Sequence, residues 1–369
     1  MKTEFDVVVL WWWVAGISAA ISARREWKSV VIIERNSLLW GLATCWLIHW
    51  FEPLCDGRWK QIIYSQAEEL LRLSIKYWYK TLDEKRLHWS RGRWRYATMF
   101  NPNLFALSLV KLLDNEWVKI FFESQISEIN FKNSKITSVD IYTIEGKINI
   151  KWKVFIDATW SGYAWKMVWI PYKNGKNYLT YTTTSYKRWL QKPIFERTGA
   201  SLYGTDHPKG VRMFNNASQD DVNDYLLIGQ TLALKEYEKW VKKDLSILPC
   251  MVQLRKISML KGGYILSNKD LCKRFDDSIW VVWVFDTPWH RYEIPVRCLF
   301  NKKIKNLFFA GRIISSYGDA RETTRVIPVC ILTWEVTWIM ASLLIDKKEI
   351  ILQQLHEKEI SRWIKIHYK

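Results

Sequence analysis

Glycine is scarce in this chain, 15 of 369 residues, where average usage of about 7% would give roughly 26. A chain short of glycine has few positions that reach a positive φ without strain, so other residues must make its tight turns. The six cysteines, at 45, 55, 250, 272, 298 and 330, include no Cys-x-x-Cys pair, which argues against a zinc ribbon or a thioredoxin-type site. No metal site is expected. Scattered single cysteines fit a reducing compartment, and a cytoplasmic location is expected. There is no internal repeat, low-complexity segment or dense basic block, so solenoids and charged binding tails find no support. A secretory leader is not expected either, because Glu4 and Asp6 stand where positive charge belongs. Residues 7–23 are uncharged, but the run is at the low edge of a membrane span and starts like a strand; no membrane partner is expected.

Tryptophan is abundant, at 24 residues. The chain is 49% hydrophobic and 25% charged, as in globular proteins, and its formal net charge is +18. A basic, tryptophan-rich chain could bind single-stranded nucleic acid by stacking and phosphate contacts, without enzymatic activity. That reading needs Trp interleaved with Lys and Arg. Here Trp instead neighbours Gly, Ala and Thr in apolar loops, so nucleic acid is not expected as a partner. The length suffices for two domains, or for one large α/β domain with an insertion.

Residues 5–35, "FDVVVLWWWVAGISAAISARREWKSVVIIER", have the order of a dinucleotide-binding βαβ unit. An apolar strand, a small-residue helix over 15–25 and a second apolar strand end in Glu34. In such units Gly-x-Gly-x-x-Gly joins strand to helix and an acid about 20 residues on binds a ribose. The glycine slots fall at 11, 13 and 16, and only Gly16 is glycine. Residues 61–80 and 101–116 are expected to be amphipathic helices, the second capped by Asn101 with Pro102 in its first turn. Residues 118–156 alternate and are expected to form a β-meander with turns at 132–134 and 145–146. Helix is expected around 218–243, a strand near 306–310, and an apolar helix over 325–345. Glu26, beside the first helix, is expected to face solvent.

Five stretches together resemble the FAD-dependent oxidoreductase family of glutathione-reductase-like flavoproteins. They are the fingerprint above, "LLWGLATCWL", "FIDATWSGYAWKMVWIPY", the pair "LRKISMLKGGYILSNKDL" and "FDTPWHRYEIPVRCLF", and "KNLFFAGRIISSYGDARETTRVIPVCILTWEVTWIMASLL". The resemblance implies an α/β fold: a doubly wound, Rossmann-like FAD-binding domain over 1–165 and 295–345, and an inserted α+β substrate domain over 170–290. Residues 346–369 are expected as a helical tail. It further implies FAD as cofactor, a small-molecule substrate, and an electron donor or acceptor that the residues do not identify. An RNA-modifying flavoprotein is the alternative suggested by the charge.

Departures from the family pattern are nearly all of one kind. Trp11, Trp12, Trp13, Trp40, Trp46, Trp160, Trp169, Trp289, Trp334 and Trp338 stand where the pattern has Gly or a small residue. Trp27 and Trp117 stand at helix-to-strand turns, where Gly is the usual stop. Drift does not choose one residue at so many sites; a UGA codon read as glycine in some bacteria but translated as tryptophan would. Ser161 and the run "RKISM" also depart from the pattern, on the substrate side.

The resemblance implies FAD contacts at Trp11, Trp13, Val14, Ala15, Gly16, Glu34, Arg35, Gly41, Ala43, Thr44, Ile126, Ala158, Thr159, Gly311, Arg312, Arg325 and Val326. Within this set Glu34 would hold the adenosine ribose. The helix near Arg325 would aim its N-terminus at the flavin. His290, Arg291 and Glu293, preceded by Asp286, and also His49, are the candidate catalytic acids and bases. Cys45 and Cys55 are a candidate redox pair, against the plainer reading of buried thiols.

Overall fold

The computed structural model describes residues 3–10, 14–39, 41, 43–47, 49–58, 60–77, 96–159, 161–187, 192–199, 207–215, 218–239, 243–284, 287 and 289–346. The expected tail over 346–369 lies almost wholly outside them, as do Trp11, Trp12, Trp13, Trp40, Trp160 and Asp286. The chain divides into two compact units, one of Met1–Trp40, Trp50–Tyr172 and Met259–Lys369, the other of Gly41–His49 and Lys173–Ser258.

The first unit is built on a seven-stranded sheet. Its parallel part runs β3 (Lys119–Phe121), β2 (Val30–Ile33), β1 (Glu4–Leu10), β6 (Gly146–Asp157) and β12 (Leu307–Phe309). The strands expected near 5–10, 30–34, 153–157 and 306–310 therefore share one sheet. Each carries a short apolar run, Val7–Leu10, Val30–Ile33, Val154–Ile156 and Leu307–Phe309, buried on both faces, as parallel strands require. The first half of β6 also pairs antiparallel with β5 (Lys135–Thr143), and β5 with β4 (Gln125–Lys132). This is the expected meander, and Asn133 and Ser134, at φ 52° and 60°, form its two-residue turn. Two positive φ values in a row are those of a type I′ hairpin.

One face of the sheet carries helices. Val7, Val9, Ile32, Ile156 and Phe308 are buried there, against α1 (Val14–Arg25) and α7 (Ile327–Asp346), which also pack on each other. Residues 7–10 thus belong to a strand and residues 14–23 to a helix. Among the described residues α7 alone is long and apolar enough to cross a membrane, and it is 89% buried within the fold. Helices α2 (Gln66–Lys76) and α3 (Pro102–Asn115) complete this layer. The expected cap holds: the Asn101 side chain accepts from the backbone N–H groups of Asn103 and Leu104 at 3.0 and 3.1 Å.

The other face departs from the expected doubly wound arrangement. Val8, Leu10, Val31, Ile33, Phe155 and Phe309 share one core with Ile126, Ile129, Ile136, Val139 and Ile141 of the meander, and with Trp165 of the short helix α4 (Tyr163–Met167). Helices thus dominate one face, and the meander folds over the other. The alternating apolar residues of β4 and β5 need a partner surface, and the exposed side of the parallel sheet supplies it.

The second unit contains an antiparallel sheet in the order β8 (Lys192–Gly199), β7 (Thr180–Lys187), β9 (Lys243–Ile247), with helix α5 (Gln219–Glu238). A hairpin of β10 (Ser278–Trp283) and β11 (Arg291–Pro295) and a short helix α6 (Gly318–Thr324) belong to the first unit.

Three tryptophans occupy left-handed backbone: Trp27 at φ 62°, Trp117 at 56° and Trp169 at 60°. Each follows a helix and makes the same pair of bonds. The Trp27 N–H donates to the Arg24 carbonyl at 2.9 Å and the Lys28 N–H to the Ala23 carbonyl at 3.0 Å. Trp117 and Val118 repeat this with Asp114 and Leu113, and Trp169 and Ile170 with Lys166 and Trp165. This is the Schellman ending, whose left-handed residue is usually glycine. The three indoles are 90%, 81% and 79% exposed, so they gain almost nothing from burial. A left-handed β-carbon costs about 1–2 kcal/mol. Trp27→Gly, Trp117→Gly and Trp169→Gly are each expected to raise unfolding free energy by about 1 kcal/mol. Trp152→Gly, which empties a buried strand position packed on Phe155, is expected to lower it by about 3 kcal/mol or more. Urea titration of the four variants checks both signs.

Candidate functional site

The carboxyl ends of the parallel strands meet along one edge. Phe121 lies opposite Ile33, Ile33 opposite Leu10, Leu10 opposite Asp157, and Asp157 opposite Phe309. The chain leaves β1 for β2 on one side, while β6 lies on the other. Ligands of open α/β sheets bind outside such a reversal of strand order.

Glu34 follows β2 at this edge and is only 2% exposed. Its N–H donates to the Phe121 carbonyl at 2.8 Å, and its carbonyl accepts from the Ser124 N–H at 2.9 Å. Its carboxylate accepts from the Asn36 N–H at 2.7 Å, so the turn holds the acid in place. Arg35 beside it is exposed, and Ile126, shortly after Ser124, is buried in β4. Val14 and Ala15 open α1, with Gly16 buried in the first turn. The first amides of a helix have no partner within it and carry a partial positive charge.

Beyond β6, the Ala158 N–H extends the ladder to the Leu10 carbonyl at 3.1 Å. The Asp157 carboxylate accepts from the Thr159 N–H at 2.8 Å and the Trp165 N–H at 3.3 Å. Burial pushes this acid up to about 6, against the N–H groups that favour its charge. The Thr159 hydroxyl accepts from the Tyr163 N–H at 2.6 Å. Past β12, Gly311 has φ 70° and its N–H donates to the Thr333 hydroxyl of α7 at 2.9 Å. Arg312 follows, buried. Arg325, half-buried, donates to Glu322 at 2.7 Å, and the Val326 carbonyl accepts from the Cys330 N–H in the first turn of α7.

Two charged residues escaped the sequence reading. Glu52 accepts from the Ile327 N–H, at the head of α7, at 3.1 Å. Burial pushes its carboxyl up to about 7, with Arg325 pulling the other way. Arg321 of α6 is buried, which pushes its guanidinium down to about 10.

The candidate acids and bases His290, Arg291 and Glu293 lie in and beside the hairpin of β10 and β11. His290 is exposed at the start of β11. The Arg291 guanidinium lies 5.9 Å from the Trp283 ring centre, and Glu293 accepts from the Phe275 N–H at 2.9 Å. The interactions of Arg291 and Glu293 thus hold the hairpin and its flank together. Gly41, Ala43, Thr44 and His49 belong to the second unit. Burial pushes the His49 imidazole down to about 4, so it is neutral at pH 7. Glu26 does not face solvent alone: it is half-buried and accepts from the Ser342 hydroxyl of α7 at 2.7 Å.

The strand-end residues fit a dinucleotide. A buried acid closes β2, the small Ala158 closes β6, and Gly311 turns the chain after β12 in a conformation that costs glycine nothing. A profile of FAD dependent oxidoreductases matches residues 6–188 and 230–363. None of the curated proteins compared matches the sequence. Among solved structures, p-nitrophenol 4-monooxygenase PnpA from Pseudomonas putida is similar, with a TM-score of 0.50 at 11% identity, over 100% of this chain and 84% of that one. CabE, an aromatic hydroxylase from angucycline biosynthesis, is similar at a TM-score of 0.51 and 7% identity, over 98% and 67%. At such identities the likeness is one of fold.

Glu52 provides a test of the electrostatics at the head of α7. Its folded value near 7 lies above the ordinary 4.5. The folded state therefore holds the proton more tightly, and that stability is full below about pH 4.5 and lost as pH rises through about 7. Glu52→Gln keeps an oxygen for the Ile327 N–H and cannot ionise. Relative to the unchanged chain, its melting temperature is expected to rise by on the order of 2–4 °C between pH 5 and pH 8, read by a thermal scan at each pH.

Proposed function

The chain belongs to the FAD dependent oxidoreductase family, and on that premise we propose that it moves hydride or electrons between FAD and a small organic substrate. The observation that carries this reading is the strand edge described above, where Glu34, the head of α1, Ala158 and Gly311 close neighbouring elements of one sheet. The charge alone supports the nucleic-acid readings, and neither the family match nor the similar folds add to them.

Bound FAD supplies the redox chemistry. The chain supplies position and field. Glu34 is assigned to the adenosine ribose, whose hydroxyls its carboxylate would accept. Ile126 and Arg35, beside it, are assigned to the adenine end. The amides at Val14, Ala15 and Gly16 are assigned to the pyrophosphate, where a helix head favours negative charge. Ala158, Thr159, Gly311 and Arg312 are assigned to the middle of the cofactor, with Gly311 allowing close backbone approach. Arg325, Val326 and the head of α7 would favour electron-rich flavin. Substrate contacts are assigned to the expected insertion at 170–290. A cytoplasmic location accords with the scattered cysteines.

Trp11 and Trp13 conflict with this assignment, because an indole there would fill the space of the pyrophosphate. We infer that the gene carries UGA at these positions and that its host reads it as glycine. Three exposed Trp in left-handed helix endings support this. So do the buried indole N–H groups of Trp46, Trp334 and Trp338, which have no hydrogen-bond partner among the described residues, although buried Trp normally finds one. UGG at codons 11–13 of the coding DNA would overturn it. The protein with glycine at the ten family positions and at 27 and 117 is expected to purify yellow with a flavin spectrum, and the tryptophan form colourless. Equal flavin absorption from both forms would refute the steric argument.

In the glycine form, Glu34→Ala is expected to weaken FAD binding by roughly 10- to 100-fold, the worth of a hydrogen bond to a charged group. Glu145→Ala, at an exposed hairpin turn, is the control and is expected to change little. Glu26 cannot serve, given its bond to Ser342. Flavin fluorescence during titration of the apo-protein measures both, and equal affinities would remove Glu34 from the site.

A further inference from the structure

We propose that Cys45 and Cys250 form a reversible disulfide within the second unit, made by exchange with a small disulfide of the glutathione class. The proposal does not rest on the flavin assignment. Cys250 lies just beyond β9, and its N–H donates directly to the Cys45 carbonyl at 2.9 Å. A direct backbone bond brings the two residues about as near as paired strand residues, whose α-carbons are roughly 4.5–5.5 Å apart, and a disulfide spans about 4.4–6.8 Å. No disulfide joins any of the six cysteines in this structure. Cys55, the expected partner of Cys45, belongs to the first unit and is bridged to Gln61.

The two thiols differ in the way an exchange reaction needs. Cys250 is exposed and Cys45 is buried, so a reagent meets Cys250 first and reaches Cys45 only through it. The Thr44 hydroxyl donates to the Cys45 sulfur at 3.8 Å and fixes where the resolving thiol sits. In the first step the Cys250 thiolate attacks one sulfur of glutathione disulfide and one glutathione thiolate leaves. In the second, the Cys45 thiolate attacks the Cys250 sulfur of the mixed disulfide and expels the second glutathione. Two protein thiols are oxidised, one glutathione disulfide is reduced to two thiols, and the protons pass from protein to glutathione. The bond would pin the segment Gly41–His49 to the chain just after β9. Cys272, the other exposed thiol, donates to the Trp289 carbonyl at 3.6 Å and is expected to stop at the mixed disulfide.

The test uses the full chain, reduced and then treated with glutathione disulfide. Remaining thiols are alkylated, chymotrypsin cuts at Phe51 to separate Cys45 from Cys55, and the unreduced peptides are weighed. The expected result is a linked Cys45–Cys250 peptide that dithiothreitol dissolves, with glutathione retained on Cys272 but not on Cys250. Cys45→Ser is expected to trap glutathione on Cys250. Cys250→Ser, a change at an exposed site that should fold, is expected to leave Cys45 unmodified. Stable glutathione on Cys250 of the unchanged chain, with Cys45 still alkylated after unfolding, would overturn the proposal. So would a Cys45–Cys55 link in its place.

Discussion

Helices α1 and α3 return to the parallel sheet through a residue in left-handed conformation. Trp27 delivers α1 to β2, Trp117 delivers α3 to β3, and Trp169 ends α4 in the same way. The turn must reverse the chain within two residues, because the strand starts at once and its first residues are already paired. A helix that overran by one residue would shift the register of the strand behind it, and every strand-end residue with it. Glu34 and its bond to the Phe121 carbonyl depend on β2 and β3 arriving in register. The candidate site is thus set by backbone geometry at the far end of the sheet.

Charge at the sheet edge follows from the same geometry. Glu34 and Asp157 close the strands on either side of β1, and both are buried. Backbone N–H groups hold both: the Asn36 N–H donates to Glu34, and the Thr159 and Trp165 N–H groups donate to Asp157. An ionised acceptor makes such bonds stronger. At the head of α7 the balance differs, since Arg325, Glu322, Glu52 and the buried Arg321 lie close in the fold. Desolvation raises Glu52 and lowers Arg321, so each is held nearer to neutrality than in water.

Most of the first unit was legible in the sequence because its signals are local. The apolar runs at 5–10 and 30–33, the alternation from 118 to 156 and the cap Asn101 act within a turn or two of their own residues. What was not legible depends on contacts between distant segments. The meander's place over the sheet is decided by which face lacks helices, which no single segment encodes. Glu52 owes its high pKa to burial, in a place where it accepts from a helix head 275 residues away in the chain. For His290, Arg291 and Glu293 residue type alone suggests catalysis, and the interactions that Arg291 and Glu293 make within the hairpin and its flank are not encoded in that type.

The tryptophans tie stability to function. Trp334 and Trp338 lie one turn apart on α7, which packs against α1, and both are buried with no hydrogen-bond partner for the indole N–H among the described residues. A buried donor left unmade costs about 1–3 kcal/mol, and each left-handed β-carbon about 1–2 kcal/mol. Against a net stability of about 5–15 kcal/mol, a few such terms decide whether the fold is populated. Glycine would remove both costs, and on the proposed assignment the same change at 11 and 13 would clear the pyrophosphate space. A chain selected to carry these indoles would need some compensating gain. At Trp27, Trp117 and Trp169, which stand in solvent, burial offers none. The same substitution thus explains strained turns, unpaired donors and, on the proposed assignment, an obstructed cofactor site, three kinds of defect that independent mutations would have no reason to share.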